Sequence, residues 1–396
     1  MTSRLLSSEA AGDLVQARFR EMFGSEARIF RAPGRVNLIG EHTDYNDGFV
    51  MPAALEFCTW VAAGKREDRA VEVYSDHFDE TIRLSLDELA DPPRKHWSDF
   101  IRGVAAVLQN AGYNLAGANL VIHGEVPLGA GLSSSASLEV ATALALSSLS
   151  GIDVPRMELV KLCQKAEHEF VGTRCGIMDQ FVAVHGTTRH ALMLDCRSLE
   201  YELLPLPRDL RLVVCNSMVR HELASGEYNH RRADCEEGVR LLQPHLPGIR
   251  ALRDVSVAQL EAWEHMLPAT VYRRCRHVVT ENQRVLDAAQ ALRSSDADRF
   301  GRLMYQSHAS LRDDYQVSCG ELDLLVELAS SRPGVYGARM TGGGFGGCTV
   351  NLLRADACDS FKQHTSRAYR EATGIVPEIY VCEPGQGAQA WPDAGA

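Results

Sequence analysis

A glycine- and serine-rich segment, residues 127–136 (PLGAGLSSSA), constrains the fold more than any other part of the sequence. The run 118–126 before it predicts a strand, and the run 134–149 after it, which ends before Gly151, predicts a helix. Glycines allow a tight turn, and N–H groups at a helix N-terminus stabilise anions. Serine hydroxyls add donors for phosphate, and one can ligate Mg²⁺. The segment therefore predicts a phosphate site, although a serine cap on a buried helix would use similar residues.

Strand and helix signals alternate along both halves of the chain. In the first half, strands are predicted at 57–63, 70–74 and 118–126, and helices at 97–109, 134–149 and 155–171. After the turn-forming residues 204–207, strands are predicted at 211–215, 338–341, 348–353 and 376–382, and helices at 227–242, 271–292 and 297–315. This order predicts two α+β domains, residues 1–205 and 206–396, with helices packed on sheets. The last strand can return to the first domain.

A second glycine cluster, residues 342–347 (GGGFGG), contains the spacing G-x-G-x-x-G. A dinucleotide-binding fold needs a helix after that motif, whereas residues 348–353 are typical of a strand. The motif therefore disfavours a nicotinamide dehydrogenase. We expect the cluster to connect two strands and to let a substrate or nucleotide approach the backbone. A plain hairpin is the alternative, but five glycines in six residues exceed what a hairpin turn needs.

Residues 31–48 (RAPGRVNLIGEHTDYNDG) combine arginines, asparagines, carboxylates and a histidine. Sugar hydroxyls need both donors and acceptors, which these side chains supply. A hydrophilic surface loop has a similar composition, but the apolar residues on both sides favour a partly buried polar cluster.

Two further carboxylates border apolar stretches. Asp179 follows a glycine turn in GIMDQF and is either a helix cap or a catalytic carboxylate. Glu167 borders the apolar stripe of the preceding helix, where a carboxylate needs a partner, either an arginine or a metal.

The composition excludes several classes of protein. With 41 basic and 52 acidic residues among 396, the formal net charge is −11, which argues against nucleic acid or an anionic membrane as a partner. No apolar run approaches the roughly 18 residues of a membrane span, and the N-terminus lacks the apolar core of a secretory signal. The eleven dispersed cysteines contain no C-x-x-C pair. We therefore expect a cytoplasmic protein without zinc or disulfides.

Taken together, these segments resemble the galactokinases, a branch of the GHMP family of small-molecule kinases, which also includes homoserine and mevalonate kinases. RAPGRVNLIGEHTDYNDG is similar to the sugar-binding segment, PLGAGLSSSAS to the phosphate loop and MTGGGFGGCTV to the C-terminal glycine motif. The matching motifs run from residue 31 to residue 350 in family order. One departure is Gly320, where the family usually has proline at a helix start.

The resemblance implies an N-terminal domain like that of ribosomal protein S5, a ferredoxin-like C-terminal domain, and an active site in the cleft between them. ATP and Mg²⁺ are the implied cofactors, galactose is the implied substrate, and we expect a monomer. Arg35 and Asp179 would be the catalytic pair. The sugar would be held by Glu41, His42, Asp44, Gly176, Asp179 and Tyr228. The triphosphate would be held by Gly129, Ala130, Gly131, Leu132, Ser133, Ser134 and Ser135, and Mg²⁺ by Ser135 and Glu167. Gly343, Gly344, Phe345 and Gly346 would line the same cleft.

The implied reaction is ATP-dependent phosphorylation of the anomeric C1 hydroxyl of α-D-galactose. Asp179 would accept the hydroxyl proton or act as an electrostatic positioner, and Arg35 would stabilise the transferring phosphoryl group. Three alternatives stay open: an N-acetylgalactosamine kinase, an arabinose kinase and a non-catalytic sensor of galactose and ATP. Sensors of this kind carry lesions in the phosphate loop, which is uninterrupted here.

Overall fold

The computed structural model describes residues 7–89, 93–220 and 224–392. Residues 1–6 and 393–396, at the outer ends of the two predicted domains, lie outside the described residues. The helices are α1 (Ser8–Phe23), α2 (Ser98–Asn110), α3 (Ser134–Leu149), α4 (Arg156–Ala166), α5 (Met178–His185), α6 (Ala224–Leu242), α7 (Val257–Ala262), α8 (Ala269–Arg293), α9 (Ala297–Ser310), α10 (Gly320–Ser330) and α11 (Cys358–Thr373). The strands are β1 (Arg28–Asn37), β2 (Phe49–Val50), β3 (Pro52–Lys65), β4 (Ala70–Ser75), β5 (Glu80–Ser85), β6 (Ala118–Gly124), β7 (His190–Asp195), β8 (Tyr201–Pro205), β9 (Leu210–Arg220), β10 (Val335–Thr341), β11 (Gly346–Arg354), β12 (Glu378–Cys382) and β13 (Gln389–Trp391).

The first half is built on a six-stranded sheet with the order β13-β1-β3-β6-β4-β5. Helix α3, which follows the phosphate loop, packs on β1 and β3, and α2, α4 and α5 pack around α3. Its sequence is small and apolar on nearly every side, as expected for a helix enclosed by other elements. Buried side chains of these helices and strands form one core. This packing fixes the start of α3, and with it the phosphate loop, against the edge of the sheet.

The second half is built on a four-stranded antiparallel sheet with the order β10-β11-β9-β12. Helix α9 packs on β10, and α10 packs on β10 and β11. A small third sheet, β2-β7-β8, lies where the halves meet, and α8 contacts its strands β2 and β8. One buried core contains residues of both large sheets, including Val36 and Leu38 from the first half and Leu212 and Val350 from the second. The two halves are therefore packed together around the cleft.

Most of the predicted elements are present, and the predicted class, α+β with helices packed on sheets, is observed. The predicted helix at 134–149 has the observed bounds. The helices predicted at 155–171 and 297–315 each end early, at Ala166 and Ser310, and continue as single π-helical turns, Glu167–Val171 and Leu311–Tyr315. Neither turn contains a proline or glycine, so local sequence does not distinguish it from a continuing α-helix. The domain boundary at residue 205 stays a prediction.

Two expectations from composition concern the whole chain. No helix within the described ranges is long and apolar enough to cross a membrane. All eleven cysteines are free thiols, and most of them are buried. They therefore contribute to packing and do not form cross-links.

Candidate active site

A cavity of about 250 Å³ lies between the phosphate loop, the segment after β1 and the turn between β10 and β11. Fourteen of the predicted site residues line it: Arg35, Glu41, His42, Asp44, Gly129, Gly131, Leu132, Ser133, Ser134, Ser135, Glu167, Asp179, Tyr228 and Gly343. Thr173, Cys175, Met178 and Gly342 line it as well and were not predicted. The sequence motifs thus converge on one cavity, although they are separated by up to three hundred residues along the chain.

The phosphate loop enters α3 through residues with positive φ, among them Gly129, Gly131 and Ser133. Ser133 occupies the position before α3, but its side chain makes no capping hydrogen bond. Its hydroxyl instead donates to Asp179 Oδ2 at 2.6 Å. The first N–H groups of α3 have no carbonyl partner within the helix, so they remain available to an anion. Ala130 is buried and packs into the core behind the loop.

Arg35 and Asp179 form a bidentate ion pair at the centre of the cavity. Arg35 Nε and Nη2 each donate to a different Asp179 oxygen at 2.8 Å. The third guanidinium nitrogen, Nη1, donates to the Gly131 carbonyl at 2.5 Å, which ties the pair to the phosphate loop. Burial opposes the charge on Arg35, but Asp179 and other nearby carboxylates raise its pKa. The cavity therefore holds a permanent cation beside a carboxylate, where a transferring phosphoryl group would meet its acceptor.

Asp179 lies in the first turn of α5, as the cap interpretation expected. No capping bond to α5 is present among its described contacts, and its two oxygens face Arg35 and Ser133. This geometry favours the catalytic interpretation over the cap.

Glu41 is a buried carboxylate close to Arg35. Its carboxylate accepts hydrogen bonds from Asn37 Nδ2 and the Gly342 N–H and lies 3.5 Å from Arg339 Nη1. Burial raises the pKa of Glu41, while Arg339 and Arg35 oppose that rise. Glu41 therefore joins the segment after β1 to the turn after β10.

An aromatic cluster forms one wall of the cavity. His42 Nδ1 lies 2.7 Å from the Tyr45 hydroxyl, which in turn lies 2.7 Å from the Tyr315 hydroxyl. The His42 ring packs against Tyr228 and Tyr315, with centroids 5.5 Å and 4.7 Å away. Burial lowers the pKa of His42 well below its usual range, so the ring is neutral. The second ring nitrogen, Nε2, is buried and has no partner at normal hydrogen-bond geometry among the described residues, although the Gly343 backbone interacts with the ring. This nitrogen can therefore bind a ligand hydroxyl.

Gly176 is needed because Asp44 lies directly beside it. A Cβ atom at Gly176 would lie 1.9 Å from Asp44 Oδ2, so any side chain would displace that carboxylate. Burial and the charge of Asp179 raise the pKa of Asp44 to about 7. Gly176 therefore shapes the site behind Asp44 and is not itself among the residues that line the cavity.

Glu167 begins the first π-helical turn and points towards the phosphate loop. Gln180 Nε2 donates to its Oε2 at 2.7 Å, and a hydrogen bond from Ser135 also reaches the carboxylate. Burial and Asp179 raise the pKa of Glu167 to about 7.

The partner of Glu167 was expected to be either an arginine or a metal, and no arginine is among these contacts. One carboxylate and one hydroxyl fit Mg²⁺, which keeps waters and takes its other ligands from substrate phosphates. Consistently, no cluster of three or more His, Cys, Asp or Glu side chains suited to a metal occurs in the described part of the chain.

The glycine cluster after β10 forms the hairpin turn to β11, in which Thr341 pairs with Cys348. Its glycines allow close approach, as expected, but the neighbour is the phosphate loop. A Cβ atom at Gly342 would lie 2.7 Å from the Gly131 carbonyl oxygen, and one at Gly347 would lie 2.8 Å from that of Ala130. Gly343 lines the cavity, whereas Gly344, Phe345 and Gly346 are not among the described residues that do so.

An apolar recess opens beside the phosphate loop and was missed by the sequence reasoning. It shares Ser134 with the main cavity and is lined by Phe78, Trp97, Ile122 and Leu138, among others. The Phe78 and Trp97 rings are nearly parallel, with centroids 5.5 Å apart. Trp97 directly precedes the apolar helix α2, and its spacing is that of the helix's apolar residues. The available signal was Phe78, an isolated aromatic residue in the polar run 75–80, which is nearly half exposed in the structure.

Three family models match the chain: the galactokinase galactose-binding signature over residues 17–65, the GHMP kinase N-terminal domain over 99–187, and the GHMP kinase C-terminal domain over 288–361. Galactokinases of Roseiflexus sp. and Chloroflexus aggregans are 49% and 51% identical to it, over 94% of this chain and 95–96% of theirs. The chain belongs to the galactokinase family.

Solved structures agree with this assignment. The Lactococcus lactis galactokinase complexed with galactose superimposes with a TM-score of 0.92 at 39% identity, covering 95% of this chain and 99% of its own. The Methanococcus jannaschii mevalonate kinase matches at 16% identity with a TM-score of 0.65, which extends the fold to the wider family. The resemblance drawn from the motifs is confirmed, and with it an ATP-using sugar kinase.

Proposed function

We propose that this chain transfers the γ-phosphoryl group of ATP to the C1 hydroxyl of α-D-galactose, giving galactose 1-phosphate and ADP. The observation that carries the proposal is the position of the Arg35 and Asp179 pair, between the phosphate loop on one side and Glu41, His42 and Asp44 on the other. A sugar hydroxyl beside Asp179 would face a phosphate held by the loop.

In this proposal the sugar is bound through the paired donors and acceptors of its pocket. The carboxylates of Glu41 and Asp44 would accept hydrogen bonds from sugar hydroxyls, and His42 Nε2 would hydrogen-bond to another hydroxyl. Tyr228, which packs on His42, would cover the sugar ring. Gly176 would act indirectly, by leaving room for Asp44.

The nucleotide would lie along the phosphate loop. Backbone N–H groups of residues 129–135 and the N-terminus of α3 would bind the phosphates, and the apolar recess beside Trp97 would take the adenine. Ser135 and Glu167 would hold Mg²⁺, which when bound neutralises phosphate oxygens. Gly343 would approach the same phosphates from the opposite side, and Gly344, Phe345 and Gly346 would support that turn.

The chemical step needs a positioned hydroxyl and compensation of charge. Asp179 would orient the C1 hydroxyl and accept its proton as the bond to phosphorus forms and the bond to the ADP oxygen breaks. Arg35 would orient the Asp179 carboxylate through its two hydrogen bonds and stabilise the transferring group from the loop side. Ser133 would hold the second carboxylate oxygen and so fix the direction of the first.

A coupled assay of ADP release tests the proposal with galactose, N-acetylgalactosamine and arabinose at saturating Mg-ATP. We expect galactose to be preferred and the product to be phosphorylated at C1. A preference for N-acetylgalactosamine or arabinose would mean that this sugar, and not galactose, is the substrate. Binding of galactose and ATP without turnover would favour the hypothesis of a non-catalytic sensor. We further propose that the enzyme is cytoplasmic and acts as a monomer without nucleic-acid or membrane partners. Light scattering, which measures the molecular mass in solution, tests the monomer.

A further inference from the structure

Helix α8 carries two buried polar side chains, one helical turn apart, that contact the sugar-binding segment from behind. His277 and Glu281 are both 0% exposed, and neither belongs to the residues that line the cavity. Burying a polar group is costly unless it is hydrogen-bonded. The partners of these two side chains therefore indicate what they do.

His277 contacts the backbone at Glu41. Its Nε2 lies 3.0 Å from the Glu41 carbonyl oxygen, and its Nδ1 lies 2.9 Å from Ser310 Oγ. Burial lowers the pKa of His277 to about 4, so the ring is neutral and carries one proton. Since a carbonyl oxygen only accepts, the proton lies on Nε2. Nδ1 then accepts from the Ser310 hydroxyl, for which Asp314 Oδ2 at 3.3 Å is a second, more distant acceptor. His277 is thus a dedicated donor to the peptide after Glu41.

Glu281 contacts the backbone one residue earlier. Its Oε1 accepts from the Gly40 N–H at 2.9 Å and from Ser307 Oγ at 2.5 Å, and its Oε2 accepts from Arg284 Nε at 2.6 Å. Although burial opposes ionisation, Arg284 and other nearby charges lower the pKa of Glu281 to about 2. The carboxylate is therefore ionised at neutral pH and binds the Gly40 N–H as a charge-assisted hydrogen bond.

The backbone at this point needs external support. Gly40 has φ +97° and His42 has φ +63°, and the left-handed conformation at His42 costs energy that the surroundings must offset. The two contacts from α8 fix the Ile39–Gly40 peptide and the Glu41–His42 peptide, which flank the residues Gly40 and Glu41. They determine where the Glu41 carboxylate and the His42 ring enter the cavity.

We propose that His277 and Glu281 are positioning residues for the sugar, which act by holding the peptide groups around Glu41. This inference rests on the proposed function, because it takes Glu41 and His42 as sugar ligands. It predicts a loss of galactose affinity much larger than any loss of nucleotide affinity, since the described hydrogen bonds of His277 and Glu281 do not reach the phosphate loop.

Two substitutions at His277 separate positioning from packing. In His277→Gln the side-chain amide nitrogen can occupy the place of Nε2 and still donate to Glu41, whereas in His277→Asn it is too short. We expect His277→Asn to raise the Kd for galactose, measured by calorimetry without nucleotide, by about five- to tenfold, as for one lost hydrogen bond. We expect His277→Gln to restore most of the affinity. Gln283→Ala, at an exposed position on the same helix, controls for substitution in α8.

The measured affinities decide whether His277 and Glu281 position the sugar-binding segment. Equal galactose affinity in both His277 variants, or a parallel loss of galactose and ADP affinity, would overturn the inference. If His277→Asn does not fold, Glu281→Asp replaces it, because the shorter carboxylate keeps its charge but withdraws from Gly40. If that variant also fails to fold, the contacts serve stability alone and the inference is wrong. Failure of the wild-type protein to bind galactose would instead refute the proposed function.

Discussion

Replacing Asp179 by asparagine removes one negative charge from the centre of the cavity and leaves the shape of the side chain nearly unchanged. In the wild-type protein both Asp179 oxygens are occupied, by two nitrogens of Arg35 and by the Ser133 hydroxyl. Asparagine keeps one acceptor and presents an NH₂ group at the other position. In either orientation that group faces a nitrogen of Arg35, and at the position of Oδ2 it also faces the Ser133 hydroxyl, so part of the network is lost.

The expected effect on stability is moderate. Arg35 is almost fully buried, and removing the partner of a buried charge commonly costs about 3–5 kcal/mol. Here Glu41 and Asp44 also lie close enough to favour the charge on Arg35, and asparagine still accepts one hydrogen bond. We therefore expect a loss of about 1–3 kcal/mol, and the variant should remain folded.

The expected effect on turnover is much larger. An asparagine amide at position 179 cannot accept the proton of the C1 hydroxyl, and general-base catalysis contributes about 10²–10⁴ in rate. The assay is ADP release at saturating galactose and Mg-ATP, with calorimetry to show that both ligands still bind. Turnover within about tenfold of the wild type, with normal binding, would refute the assignment of Asp179.

Ser133→Ala is the matched control, because it removes the 2.6 Å hydrogen bond to Asp179 and keeps the charge. If Asp179 is a general base, this variant should lose far less activity than Asp179→Asn. If both variants lose activity to the same extent, Asp179 acts mainly by its position.

Three further predictions concern the sugar, the metal and the nucleotide. Because Asp44 has a pKa of about 7 in the folded protein and about 4 when unfolded, its contribution to stability falls as pH rises between these values. Urea unfolding should therefore show Asp44→Asn gaining stability relative to wild type from pH 5 to pH 8, and a difference constant with pH would contradict this. Glu167→Gln should raise the Mg²⁺ concentration for half-maximal rate by more than about tenfold, as measured by titrating Mg²⁺ at fixed ATP; an unchanged requirement would exclude Glu167 as a ligand. Trp97→Ala should raise the KM for ATP by an amount equivalent to a loss of about 1–3 kcal/mol of binding free energy, if the base stacks on the ring. The KM for galactose should stay unchanged, whereas a rise in both KM values would indicate a structural role.

The phosphate loop and the sugar segment could be predicted because each one is a short, continuous stretch with its own chemistry. Residues 129–135 combine flexible backbone with hydroxyl donors, and Glu41, His42 and Asp44 follow one another within four positions. Helix α3 could be predicted with its bounds because it is apolar along its length and is delimited by serine and glycine. Local sequence is sufficient in these cases.

Other parts of the site arise only when distant elements meet. The apolar recess brings Phe78 and Trp97 together from two separate elements, and neither residue has a motif around it. The contacts of His277 and Glu281 with the segment after β1 join parts of the chain more than two hundred residues apart. The glycine cluster was correctly predicted to connect two strands, but the partner of its close approach was the phosphate loop, which only the tertiary structure reveals.

Strand β13 has a consequence for how the protein is made. It pairs with β1 at the edge of the first sheet, with Trp391 opposite Ile29, and Arg31 stacks over the Trp391 ring. The strand that carries Arg35 therefore receives its second neighbour only from residues made more than three hundred positions later. At about 5–20 residues per second, β1 waits on the order of tens of seconds as an unprotected edge. Ribosomes that stall or terminate shortly before residue 389 would release a chain with both walls of the cavity and an open, aggregation-prone sheet.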